Sequence, residues 1–104
     1  MDVATRFGEN LRRVRKGVGI SQEELGLRSS LHRTEIGLLE RGARVPRIDT
    51  MIKIASGLGI RIDSPLLEGI SWTPDKQTTQ AGGFTFTPGV SAEVGDSRRE
   101  LEER

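Results

Sequence analysis

Ile20-Ser21-Gln22-Glu23-Glu24-Leu25 and, eleven residues further on, Leu31-His32-Arg33-Thr34-Glu35-Ile36 write one pattern twice. An apolar residue precedes a capping position; two residues follow, then Glu, then another apolar residue. In the first copy Ser21 stands at an N-cap, Glu24 at N3, and Ile20 can staple to Leu25 across the first turn. In the second, Glu35 takes the N3 place and Leu31 faces Ile36. His32 stands where Ser or Thr is the commoner cap, which predicts a weaker start. At 3.6 residues per turn, starts this close leave room for about two turns of helix and a tight turn. The spacing predicts helices over 22–28 and 33–41, the second stopped by Gly42, which suits the left-handed position after a helix end. Two short helices joined by a short turn form the helix-turn-helix pattern.

The chain on either side is read the same way. Val3, Phe7, Leu11, Val14 and Val18 recur every three or four residues and make one apolar stripe, a helix over 3–16 ended by Gly17 and Gly19. Arg6, Arg12, Arg13 and Lys16 fall off that stripe, and the last three read as a solvated face. Leu25, Leu27, Leu31, Ile36 and Leu39 are expected in the core. A basic loop over 43–47 is closed by Pro46, which cannot sit inside a helix without cost. A helix over 48–58 carries Ile48, Met51, Ile52, Ala55 and Leu58 on one side and stops at Gly59. A fifth, short helix is expected over 64–68, with Ser64 as cap, Pro65 at N1 and Gly69 as stop. The expected architecture is thus an all-α, five-helix domain over residues 1–70 with an extension over 71–104. In the extension, Phe84 and Phe86 alternate with Thr85 and Thr87, a strand over 83–88. Ile70 and Trp72 alternate too, so a loose hairpin is expected, and the polar stretch from 91 onward is expected to be mobile.

The 104 residues hold 34% hydrophobic side chains and four aromatics, which predicts a small aliphatic core. With no Cys, neither disulfides nor thiolate metal sites are available. No apolar run approaches the roughly 20 residues that span a bilayer, and the first residues lack a signal-peptide core, so no membrane association and a cytoplasmic location are expected. The net charge of +1 hides an asymmetry. Residues 1–62 hold 12 Lys and Arg against 7 Asp and Glu, or +5, and residues 63–104 hold 4 against 8, or −4. A basic front half suggests a nucleic-acid-facing domain, and the acidic tail suggests something that faces elsewhere.

Residues 7–60 resemble the Cro and phage-repressor (Xre) type of helix-turn-helix domain. The matching residues are Leu11-Arg12-Arg13-Val14-Arg15, Ser21-Gln22-Glu23-Glu24-Leu25, Ile36, Leu39-Glu40-Arg41-Gly42, Pro46 and Leu58-Gly59-Ile60. Departures are modest: Gly26 replaces a small Ala, Ser30 the usual turn Gly, and His32 the polar cap. Ser30 is therefore expected to tolerate a positive φ. The resemblance implies that the helix over 33–41 enters the major groove of double-stranded DNA. Arg33, Thr34 and Leu38 would then touch bases, with His32 close by. Arg can donate two hydrogen bonds to guanine, and Thr or Leu can contact a thymine methyl. Gln22 would bind phosphate, and Arg15 and Glu40 would form a partly buried ion pair between the first helix and the recognition helix. Arg41, Arg44 and Arg47 flank that helix and read as phosphate contacts. Gly37, without a side chain, reads as a point of close approach to the DNA backbone.

Enzymatic readings find no support. His32 is the only histidine, and Glu23 and Glu24, adjacent on a helix, point apart. Gly17-x-Gly19 lacks the third glycine and the preceding strand of a dinucleotide loop. No metal or other cofactor is implied. The expected function is a transcriptional regulator bound to operator DNA as a homodimer, one recognition helix reading too few base pairs alone. Trp72, Phe84 and Phe86 are the expected dimer contacts. The rival is an antitoxin-like protein-interaction module that binds a partner protein through its acidic C-terminal tail.

Overall fold

The computed structural model describes residues 1–63, 65–77 and 81–88. Four helices come first: α1 (Val3–Val18), α2 (Gln22–Ser29), α3 (Arg33–Glu40) and α4 (Ile48–Leu58). An antiparallel hairpin follows, β1 (Ile70–Pro74) with β2 (Gly82–Phe86), in which Ile70 faces Phe86 and Trp72 faces Phe84. α1 starts on Asp2, whose carboxylate accepts from the Thr5 N–H at 2.8 Å, a cap absent from the sequence reading. That hydrogen bond holds the Asp2 carboxyl below its ordinary pKa. Gly17 lies within the helix, and Gly19 alone, at φ 85°, ends it.

The core is aliphatic around one aromatic, as the composition predicts. Phe7, Leu11, Leu25, Ile36, Leu39, Ile54 and Leu66 are fully buried. Four expected core residues are instead exposed: Val18 beyond the last turn of the stripe, Leu27 on the outer face of α2, and Ile48 and Ile52 on α4. The inward face of α4 is Ile54, Ala55, Gly57 and Leu58.

The fifth helix does not form, and the structure has four among the described residues. Ser64, its expected cap, lies outside them. Residues 65–69 make a turn in which Leu67 N–H reaches Asp63 but Glu68 and Ile70 reach back only three residues. A single turn has too few hydrogen bonds to offset its nucleation. Its carbonyls serve another element: the Asn10 amide donates to Leu66 O at 2.8 Å and Glu68 O at 3.0 Å. Asn10 is itself buried, so this bond closes the helical layer. Arg13 adds a 3.0 Å pair with Glu68, and so is less a solvated residue than expected. Arg6, also off the apolar stripe, is buried; its Nη1 donates to Thr87 O at 2.8 Å and its guanidinium lies 5.8 Å from the Phe86 ring centre. The hairpin is thereby fastened to α1 at its base. The expectation of mobility from residue 91 falls outside the described residues.

Candidate nucleic-acid interface

The two motif helices are set by their caps. Ser21 Oγ accepts from the Glu24 N–H at 3.0 Å, as the capping box predicts. The reciprocal half is replaced: the Glu24 carboxylate runs along the helix to Arg28 at 3.0 Å. Ser30 ends α2 at φ 58°, the one non-glycine residue with positive φ among those described, and Leu31 N–H closes onto Gly26 O at 2.9 Å. Gly26 permits this tightness, since a Cβ there would stand 2.5 Å from Leu31 O. His32 then caps α3 with Nδ1, which accepts the Thr34 N–H at 3.0 Å. Glu35 does not complete a box; its carboxylate receives Arg44 at 3.0 Å.

α3 is held against the body by the pair Arg15–Glu40. Arg15 Nε lies 2.5 Å from Glu40 Oε2 and Nη2 donates to Oε1 at 3.0 Å, with side chains 10% and 2% exposed. Arg15 Nη1 also donates to Ile20 O at 2.9 Å, and its hydrogen bonds to the Glu40 carboxylate push the Arg15 pKa up. Beside the pair, α1 and α3 touch through Gly8, where a Cβ would meet the Leu39 and Glu40 carbonyls. Gln22 joins the same network, its amide donating to Glu40 Oε1 at 3.0 Å. The residue expected to meet phosphate is thus also braced by the structural pair, a link that no spacing in the sequence announces.

With α3 so fixed, His32, Arg33 and Thr34 lie exposed at its front, Leu38 is half-buried, and Arg41 is exposed at its end. Gly37 departs from expectation: it is buried. The Gln22 amide and the Arg41 guanidinium converge over it, and a Cβ would sit 3.2 Å from Arg41 Nη1 and 3.6 Å from Gln22 Oε1. Any close approach at this point would therefore be made by those two side chains. The other cations carry light surface partners: Arg33 is 3.8 Å from Glu23, Arg44 is paired with Glu35, and Arg47 is 3.3 Å from Asp49. Such exposed pairs are worth at most about 1 kcal/mol and yield readily to a phosphate. Away from this surface, Trp72 and Phe84 pack edge to face at 5.0 Å and are 54% and 55% exposed. Phe86, expected with them, is half-buried under Arg6.

A capped two-helix unit with a polar, cation-flanked second helix is the build of a DNA-binding regulator. The helix-turn-helix family model HTH_3 matches residues 11–64, just over half of the chain. The chain belongs to that family of DNA-binding transcriptional regulators. It is 37% identical over 60 residues to the HTH-type transcriptional regulator y4dJ of Sinorhizobium fredii, 58% of this chain and 78% of the relative. It is 39% identical over 62 residues to the control protein C.SmaI of Serratia marcescens, 60% of this chain and 74% of the relative. Among solved structures, the restriction-modification controller protein C.AhdI of Aeromonas hydrophila superposes with a TM-score of 0.56 at 37% identity, over 57% of this chain and 86% of that one. No helix among the described residues is long and apolar enough to cross a membrane.

Proposed function

We propose that this chain is a sequence-specific controller of transcription that binds double-stranded operator DNA as a homodimer, with α3 in the major groove. The observation that carries this reading is the exposed front of α3, His32-Arg33-Thr34, together with the exposed cations Arg41, Arg44 and Arg47 at and after the end of that helix. Arg33 reads a guanine edge, and Thr34 and Leu38 read thymine methyls. Gln22, Arg41, Arg44 and Arg47 hold phosphates and set the register. The likeness to control proteins of restriction-modification systems supports a regulatory rather than a catalytic role.

The test is selection of binding sites from random DNA with the full chain. Two half-sites about one helical turn apart are expected. Arg33→Ala is expected to cost about 1–3 kcal/mol at one base position and to relax preference there; an equal loss at every position would remove Arg33 from base readout. Affinity is also expected to fall with salt, with a log–log slope of about −0.9 per phosphate contact. Each of Arg41→Ala, Arg44→Ala and Arg47→Ala should flatten that slope by one contact. Absence of any selected site, with capture of a protein partner instead, would favour the antitoxin-like rival.

A further inference from the structure

We infer that His32 is a specificity residue with a fixed polarity: a neutral imidazole that presents only an Nε2–H donor to an acceptor on a base edge. This rests on the operator-binding reading above. The geometry starts at Nδ1. It accepts the Thr34 N–H at 3.0 Å, so it must carry a lone pair rather than a proton. In neutral imidazole the proton then belongs to Nε2. The doubly protonated ring would point an N–H at an N–H, lose the cap and add positive charge to the positive end of α3. Glu23 and Arg33, 3.8 Å apart, line the same shallow hollow as the ring. The remaining wall, Leu27 and Leu31, is apolar.

The ring itself is exposed and sits one residue before Arg33. A Ser or Thr cap that accepts from the helix keeps its O–H to donate, but that donor sits at Oγ, close to the backbone, and cannot reach as far as the imidazole Nε2. His32 spends one nitrogen on the helix and keeps the other free. An N–H donor in the major groove matches guanine N7 and O6, adenine N7 or thymine O4, and clashes with the amino groups of cytosine and adenine. The unusual cap residue thus both starts the recognition helix and imposes a hydrogen-bond sign on one base position.

The experiment uses the full chain and the site that it selects from random DNA; failure to select any site would count against the operator reading and not against this one. Long-range proton–nitrogen NMR should show the Nε2–H tautomer. His32→Ser keeps an N-cap for Thr34 and removes the ring. It is expected to melt no lower than the wild type, to lose roughly tenfold in affinity, as for one hydrogen bond, and to lose base preference at a single position. Replacing the purine there by its 7-deaza analogue should weaken the wild type and leave His32→Ser unaffected if N7 is the acceptor. At a thymine or an O6 acceptor, exchange for cytosine or adenine should do the same. An Nδ1–H tautomer, a His32→Ser protein with unchanged affinity and preference, or a loss uniform over all base choices would each overturn the proposal, the last by placing the ring on phosphate.

Discussion

Gly37 shows how a single missing methyl shapes the interface. It lies mid-helix, where Gly costs about 1 kcal/mol relative to Ala. In return the surface of α3 is flat enough for Gln22 and Arg41 to meet above it. Gly37→Ala puts a Cβ against the ends of two flexible side chains, so the fold can accommodate it by moving them. The expected outcome is a rise in stability of about 0.5–1 kcal/mol together with weaker operator binding, measured by thermal melts and gel shift. A variant both more stable and equally tight on DNA would mean that the convergence of Gln22 and Arg41 does not matter. The residue's place on the helix was legible in the sequence, but its burial was not. Helical spacing says which way a Cα faces, and says nothing of a glutamine arriving from the preceding helix. Ser30 is the opposite case: the turn had to contain a positive φ, and no glycine was there to supply it.

At the scale of elements, the orientation of α3 depends on Arg15 and Glu40. The pair links the C-terminal half of α1 to the end of α3 and also braces Gln22. Glu40, 2% exposed, cannot lose Arg15 without leaving a buried charge. Removing one partner should cost roughly 3–5 kcal/mol, whereas a double replacement such as Arg15→Met with Glu40→Leu should come close to neutral. Denaturant melts of the two single variants and the double one make the cycle; additivity would show that the side chains do not act as a pair. Glu40 variants should in addition weaken DNA binding, because Gln22 loses its anchor. The helix-turn-helix unit and this pair were readable because their spacing is local or carried by resemblance. α4 was readable as a helix but not in its phase. Ile48, Met51, Ile52, Ile54, Ala55 and Leu58 hold two overlapping stripes, and the core takes the one through Ile54, Ala55 and Leu58. The fifth helix failed for lack of length, its carbonyls being claimed by Asn10 across 56 and 58 residues of sequence.

For the whole molecule, the homodimer proposed above requires two recognition helices at a fixed spacing. The proposed dimer needs an apolar surface, and two exposed apolar groups among the described residues are candidates. One is the outer end of the hairpin, Trp72 and Phe84, which sequence reading nominates. The other is Val45, Ile48 and Ile52, spaced by three and four and 67%, 73% and 55% exposed, which the misread phase of α4 concealed. For the proposed dimer, rigidity favours the second. An isolated two-stranded hairpin is marginal in water, and this one is tied to the body at its base through Arg6, Phe86 and Thr87. Its two aromatics already cover part of each other. α4 packs along α2 and follows directly from the loop that ends α3, so dimer contacts made through it would fix the distance between two α3 helices. Half-sites one turn apart require such a fixed distance. The hairpin cannot be tested by cutting the chain after Gly69, since that would also strip Arg6 of its carbonyl and its ring. Exposed-residue variants avoid the problem. Ile48→Glu with Ile52→Glu is expected to fold, to sediment as a monomer and to lose most operator affinity. Trp72→Ser with Phe84→Ser is expected to remain a dimer of near wild-type affinity. The reverse pattern would return the interface to the hairpin, and α4 would then present its isoleucines to some other surface.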